Sequence, residues 1–338
     1  MDALRASTPR LNRSSRRGHY ESWFLRANPP SGRRPDEAGA LWIRYTSFVP
    51  RGRDADGGDA LGELWAIWFD PDPKRHVAVR SIQPLGGCTF ATERLAVRIG
   101  DARLDRTHAI GRAESSGHAI EWDVTMAGGQ DPLLLLPESL YDGPFPKAKS
   151  LVIAPMMRLS GSIRVDGETH RFDDWVGSLN HNWGERHTDA YAWGQVAGFD
   201  DAPDVFFECA TARVRIGPFR TPRITTFAVR IGDETIRSSG ALDLVRASGS
   251  YEVGRWQVRG RAEDAEIEAT FTAPRTAFVG LTYLDPPGGA KTCLNSKVAS
   301  CELRVKRGGR AIVSARTTGR AAFEILTDDR GHGVPVLV

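Results

Sequence analysis

The segment Trp175–Gly198, WVGSLNHNWGERHTDAYAWGQVAG, gathers Trp175, Trp183, Trp193, His181, His187, Glu185 and Tyr191 into what read as two strands. In a strand, side chains two apart point to the same face. His181, Trp183, Glu185 and His187 therefore share one parity, and Asn180, Asn182 and Arg186 the other. Tyr191, Trp193 and Gln195 repeat the alternation on the next strand. Ring faces beside proton-transfer groups on one wall suit a pocket for a large, mostly apolar molecule.

Other chemistries find less support in the residues. His181, Glu185 and His187 are ligand types that zinc or iron accept. His-x3-Glu-x-His is not a recognised compact set, however, and the His-x-His pair usual in small β-barrel metal sites is missing. No metal is expected; the alternative is that these groups bond one another or backbone at a domain junction. There is no Gly-x-Ser-x-Gly elbow, no Gly-x-Gly-x-x-Gly before a helix and no P-loop. Nucleophilic and nucleotide-dependent chemistry are not expected, and no cofactor is implied. Gly86-Gly87 and Gly288-Gly289 read as turns.

The elements that must position these residues are almost all strands. Ala40–Val49, Gly62–Phe69, Arg94–Ile99, His118–Met126, Val205–Ile216, Thr225–Ile231, Gly240–Leu244, Arg255–Arg261, Ala265–Thr272, Ala277–Leu284 and Cys301–Val305 are short runs rich in Val, Ile, Thr or aromatics. Gly, Pro, Asp or Asn bounds each of them. Asp201-Ala202-Pro203-Asp204 suits a hairpin between Tyr191–Phe199 and Val205–Ile216. Long amphipathic helical patterns are missing, which argues against βαβ architectures.

A chain of 338 residues predicts two domains. Prolines 137, 144, 146 and 155 interrupt the strand rhythm in Leu136–Pro155. The predicted organisation is a disordered basic tail over 1–17, carrying Arg5, Arg10, Arg13, Arg16 and Arg17, then all-β domains over 18–150 and 151–338. A nucleic-acid or membrane-surface arm is the alternative for the tail. Cys88, Cys209, Cys293 and Cys301 lack CxxC spacing and fit reduced thiols in a cytoplasmic protein, with Cys209 in a strand core; a Cys293–Cys301 disulfide is not favoured. No secretory leader or run of about 18 apolar residues is present.

The block Asn180-His181-Asn182-Trp183-Gly184 resembles the His-x-Trp-Gly block of the carotenoid 1,2-hydratase (hydroxyneurosporene synthase) family. That family is similar to a wider group of tandem lipocalin-like proteins, including tocopherol cyclase-like proteins and Diels–Alderases. Tyr20–Asn28 (YESWFLRAN) and Ala40–Thr46 (ALWIRYT) also resemble a bacterial subgroup of it. The resemblance implies two consecutive lipocalin-like antiparallel β-barrels with a ligand site at or near their junction. It also implies a reactive pocket made by a His-x-Trp pair and a Tyr-x-Asp pair, with the Asp as acid. The first pair matches His181 and Trp183; the second falls at Phe206 and Glu208. Phe replaces Tyr and Glu replaces Asp, while Asn180 stands where the group commonly has Asp. A carboxylic acid is kept and a phenol is lost.

Protonating an isolated C=C bond needs a strong neutral acid in a dry pocket. Burial among aromatics would keep Glu208 protonated, and π-faces would stabilise the carbocation. Trp183 and Trp193 suit that role, with Trp42, Trp65 or Trp23 contributing from the first barrel and Phe206, Tyr191 and Asn182 completing the lining. His181 would tune or reprotonate Glu208, or act as base toward water. The opposing reading puts Glu208 on a solvent face, which would also expose Phe206. Trp65 and Trp68 have opposite parity, so only one can line a given interior. Glu21 and Glu63 read as surface or rim carboxylates, and Arg44 as either an anchor for a ligand carboxylate or a paired arginine.

The expected function is cofactor-independent, proton-initiated hydration or cyclisation of a hydrophobic polyene, terpenoid or polyketide-like substrate, or the templating of a pericyclic step. The alternative is a non-catalytic lipid or pigment carrier. The expected partner is that small molecule rather than nucleic acid, with peripheral membrane contact as its route of access. Oligomeric state has no sequence signal.

Overall fold

Residues 1–11, 16–32, 39–53, 58–216, 219–238 and 240–338 are described by the structure, a computed structural model. The first sheet begins with His19–Asn28 (β1), Ala40–Val49 (β2), Leu61–Phe69 (β3), Val77–Pro84 (β4), Cys88–Phe90 (β5) and Ala96–Ile99 (β6). It continues through Ala102–Asp105 (β7), His108–Ser115 (β8), His118–Gly128 (β9), Leu133–Leu134 (β10), Ala148–Val165 (β11) and Glu168–Gly184 (β12). The order is β4-β3-β2-β1-β12-β11-β9-β8-β7-β6-β5, with β10 on β11. The sheet curls until β4 meets β8, where Glu114 N–H donates to Ser81 Oγ (2.8 Å) and Arg80 N–H to Ser115 Oγ (3.0 Å).

After Ala190–Ala197 (β13) and Val205–Arg213 (β14) come the short pair Arg215–Ile216 (β15) and Phe219–Arg220 (β16). Then follow Ile224–Ile231 (β17), Glu234–Arg237 (β18), Ser248–Glu252 (β19), Arg255–Ala262 (β20) and Ala265–Thr272 (β21). Val279–Leu284 (β22), Ala290–Arg307 (β23) and Arg310–Thr327 (β24) complete the set. The second sheet runs β18-β17-β14-β13-β24-β23-β21-β20-β19, with β22 on β23. The protein is all-β, with two consecutive lipocalin-like antiparallel sheets.

Three expectations are corrected. The sheets divide at residues 185–189, not in Leu136–Pro155, because β11 and β12 return to pair with β9 and β1 of the first sheet. Gly240–Leu244 is not a strand: Ala241–Arg246 is a short helix, started where the Asp243 carboxylate accepts from Gly240 N–H (2.9 Å). Residues 1–11 are not a free tail. Ala3–Ser7 is helical behind an Asp2 N-cap, and Ala6 and Ser7 are buried in the mouth of the first barrel. Arg13 lies outside the described residues.

The strands β1, β2 and β3 are buried on both faces. On β1, Trp23, Leu25 and Ala27 enter the first barrel's core, while Phe24 turns the other way, toward Trp193 and Leu281 of the second sheet. On β14, Phe207 and Cys209 enter the second core while Phe206 faces the first sheet. The outer faces of the two sheets thus pack on each other, and the junction is a third core. Gly177 permits the close β1–β12 pairing within the first sheet: a Cβ there would collide with the Arg26 carbonyl oxygen of β1. The Asp201–Asp204 turn joins β13 and β14 as expected, closed by Gly198 N–H to Val205 O (3.1 Å) and Phe199 N–H to Ala202 O (3.0 Å). All four cysteines are free thiols and buried.

Candidate functional site

The junction carries an unusual density of polar groups for a buried sheet face. Glu208, 1% exposed, opposes Gln195 across the β13–β14 pair. Its Oε1 accepts from Trp193 Nε1–H at 2.8 Å, and its Oε2 is buried without a hydrogen-bond partner. Burial pushes this carboxyl up to about 7, against the Trp193 hydrogen bond, the nearby Gln195 amide and the Arg26 charge, which pull it down. A carboxylic acid is the form such a site tolerates near neutrality.

Around Glu208 the neighbours are fixed by one another. Gln195 Oε1 accepts from Arg26 Nε–H (3.0 Å) and from Ser178 Oγ–H (2.6 Å), while Gln195 Nε2–H donates to Asn180 Oδ1 (2.8 Å). Arg26, fully buried, also donates to Asn28 Oδ1 (2.6 Å). Lys297, also fully buried, donates to Glu324 Oε1 (2.7 Å) and lies 5.7 Å from the ring centres of both Trp42 and Trp193. Burial lowers its pKa, and the neighbouring Glu324 opposes that. Phe24 contacts Trp193 edge-on at 5.9 Å and Trp42 at 6.3 Å. The result is a buried acid and two buried, held cations among indole faces.

A second cluster sits inside the first barrel. His181, fully buried, has Nε2 2.8 Å from Glu21 Oε1 and Nδ1 2.8 Å from the Ala6 carbonyl. Glu21, also fully buried, further accepts from Arg10 N–H (2.7 Å) and has Oε2 3.2 Å from His19 Nε2. Burial would raise this carboxyl, but the hydrogen bonds of His181 and His19 outweigh it and hold it at about 2. Trp23 stacks on His181 at 4.9 Å, and Trp183 is tilted against it at 4.6 Å. The N-terminal segment covers the cluster: Trp23 Nε1–H donates to Ser7 O (3.0 Å), and the Arg10 guanidinium lies 5.2 Å from the Trp183 ring centre.

These two clusters divide the residues singled out from sequence. His181 and Trp183 do not face Glu208. They lie on the core side of β12, whereas Asn180 and Asn182 lie on the junction side, as strand parity requires. Trp23 belongs with His181. Trp42, Trp65, Trp193, Tyr191, Phe206 and Glu208 belong to the junction, with Asn182 at its margin and its Oδ1 unpartnered. Trp68 points into the first barrel and stacks on Trp175 at 6.1 Å. Glu185 and His187 lie beyond the end of β12 and share no face with His181. Glu185 pairs with Lys147 (2.6 Å), and His187 stacks on Tyr20 at 3.9 Å. Neither Glu21 nor Glu63 is a rim carboxylate; Glu63 is 5% exposed and pairs with Arg80.

Sequence spacing does not join Arg26, Gln195, Lys297 and Glu324, which the fold connects through Asn28. A signal was present for Arg26, which alternates with Tyr20, Ser22, Phe24 and Asn28 on one strand. A cleft of about 900 Å³ lies elsewhere, lined by residues of β4, β8, β9, β11 and β12 among others. Its charges are paired with each other, as in Arg164–Glu121 (2.6 Å) and Arg112–Glu114 (2.5 Å), so it has the character of a solvated surface. The junction includes buried, incompletely satisfied groups, Glu208 Oε2, Arg44 Nε and Trp42 Nε1.

No family model matches the chain. An uncharacterized protein of Mycobacterium tuberculosis, found in two strains, is 26% identical over 323 residues, covering 95% of this chain and 89% of that protein. Among solved structures, an AttH-like protein from Nitrosomonas europaea superposes with a TM-score of 0.58 at 13% identity, covering 97% of this chain and 99% of that one. CghA gives 0.57 at 11% identity, with 94% and 90% covered. Kievitone hydratase from Nectria haematococca gives 0.51 at 11% identity, with 91% and 89% covered. These similarities show the fold.

Proposed function

We propose that the protein is a hydratase- or cyclase-like enzyme that protonates a hydrophobic alkene at the junction between its two sheets. Glu208 is the acid, and the observation that carries the reading is its buried, unpartnered Oε2 on a carboxyl held by Trp193, whose ring meets Phe24 edge-on. In that reading the Oε2 proton passes to one alkene carbon, and indole faces stabilise the cation left on the other. Water then attacks to give hydration, or an internal alkene or hydroxyl attacks to give cyclisation. The proton lost in the last step returns to Glu208, so no cofactor is consumed. Kievitone hydratase, with the same fold, is named for a hydration, and CghA has been solved with Sch210972; both support a small-molecule reading. His181 lies inside the first barrel, away from Glu208, so in this reading the proton is managed by Glu208 and its Trp193–Gln195–Arg26 neighbours.

The test is turnover in D2O with a panel of prenylated phenols and linear polyenes, analysed by mass spectrometry and NMR. Product should carry one new, non-exchanging carbon-bound deuterium per turnover. A lipid or pigment carrier would return every ligand unchanged, and product without carbon-bound deuterium would exclude proton initiation.

A further inference from the structure

Arg44 is the charged group of the junction that the acid chemistry leaves unused. It stands on the junction face of β2, 4% exposed, with Phe24 and Trp65 as its cross-strand neighbours. Its only hydrogen bond among the described residues is from Nη2–H to Ser22 Oγ (2.6 Å), and that hydroxyl is already engaged with Thr46 Oγ1 at 3.0 Å. The Nε–H is buried without a partner. Among the described residues no carboxylate lies within ion-pair distance of the guanidinium. Glu63 is committed to Arg80 and Trp65, and Glu324 to Lys297 and Asn295.

What faces the Arg44 charge is the ring of Tyr283, which reaches across from β22 with its centre 4.5 Å from the guanidinium carbon. Burial works against the Arg44 charge, and Tyr283, Glu63, Tyr191 and Cys293 offset that at a distance, while the Nε–H still lacks a direct acceptor. An aromatic face supplies some compensation. A carboxylate, which accepts two parallel N–H bonds from the fork, supplies more.

We infer that Arg44 is the anchor for an acidic oxygen group, a carboxylate or an ionised enol, on the otherwise apolar ligand that enters the junction. The ligand's anion takes the place of the Tyr283 ring on the guanidinium and uses the vacant Nε–H together with an Nη–H. Phe24 links the two ends of the site: it is the cross-strand neighbour of Arg44 and it contacts Trp193, which holds Glu208. The ligand class is therefore amphiphilic, an unsaturated chain or ring system with one acidic terminus. This inference rests on the proposed function for the placement of the ligand, but its test does not require turnover.

The probe is cis-parinaric acid, a fluorescent tetraene carboxylic acid, titrated at pH 8 beside its methyl ester. Wild-type protein should bind the acid at least roughly tenfold more tightly than the ester. Arg44→Met should erase that preference while leaving ester affinity unchanged, and Arg44→Lys should keep part of it. Equal affinities in wild type, no saturable binding of the acid, or a preference that survives in Arg44→Met would each overturn the assignment. Should Arg44→Met fail to fold, the wild-type ratio and the lysine variant still decide. Failure of the acid reading is separate: Glu208→Gln with unchanged turnover would remove it while leaving the acid-to-ester ratio intact.

Discussion

Glu208→Gln should lower turnover by about 10²–10⁴-fold, the range that a positioned general acid contributes, with ligand affinity unchanged. Glutamine keeps the volume and can still accept from Trp193 Nε1–H, but it has no acidic proton to give. The pH dependence follows from the carboxyl being held at about 7. Turnover should be level below that value and fall as pH rises through it, because the ionised form is no acid.

Stability should move with the same group. Its folded value lies above the 4.5 of an ordinary glutamate, so the native state holds the proton more tightly than the unfolded chain. That contribution is fully present below 4.5 and is lost as pH rises through about 7, amounting to about 3 kcal/mol for the whole shift. Glu208→Gln escapes the loss. Its melting temperature should exceed that of wild type at pH 8, and the two should converge near pH 4. Thermal melts at both values, beside product analysis by mass, check the pair of effects. A wild type that gains stability between pH 5 and pH 8 relative to the variant would contradict the assignment.

Glu21→Gln should destabilise the protein by about 3 kcal/mol at pH 7, the contribution of a buried carboxylate held at about 2 instead of 4.5. An exposed pair would contribute less than about 1 kcal/mol, so the size of the loss reports burial. Both His181 and Glu21 are fully buried beneath the N-terminal segment, and His19 and Arg10 N–H also converge on the carboxylate. The folded value of about 2 lies below the ordinary 4.5. The stabilisation is therefore present above 4.5 and is lost as pH falls through about 2. Urea unfolding at pH 7 should separate wild type from the variant, and the gap should narrow at pH 3. The same variant should expose residues 1–11 to proteolysis, since Arg10 N–H loses its charged acceptor.

Much of the fold was legible because strand periodicity is local. Ala40–Val49 and Ala265–Thr272 were read to the residue, and the turn at Asp201–Asp204 declared itself through Pro and Asp. Gly240–Leu244 was misread because a one-and-a-half-turn helix is too short to show a period. The division between sheets was misplaced because prolines mark interruptions of a strand, and β11 tolerates Pro155 at an irregularity in its pairing with β12.

The candidate site was half legible for a similar reason. Parity correctly separated His181 and Trp183 from Asn180 and Asn182, and grouped Tyr191, Trp193 and Gln195. Parity cannot say which face of β12 meets β14, because β12 is buried on both sides near Asn180 and His181. Joining His181 to Glu208 required that choice, and the structure makes the opposite one. The same ambiguity hid Glu21. A carboxylate between Tyr20 and Ser22 resembles a rim residue until the N-terminal segment folds over it.

The central claim is that burial in the junction keeps Glu208 as a neutral acid. Infrared difference spectroscopy between wild type and Glu208→Gln, titrated from pH 5 to pH 9, tests it most directly. A protonated-carboxyl band present in wild type, missing from the variant and disappearing with a midpoint near 7 is the expected result. A Glu208 that is already ionised at pH 5 would contradict the account.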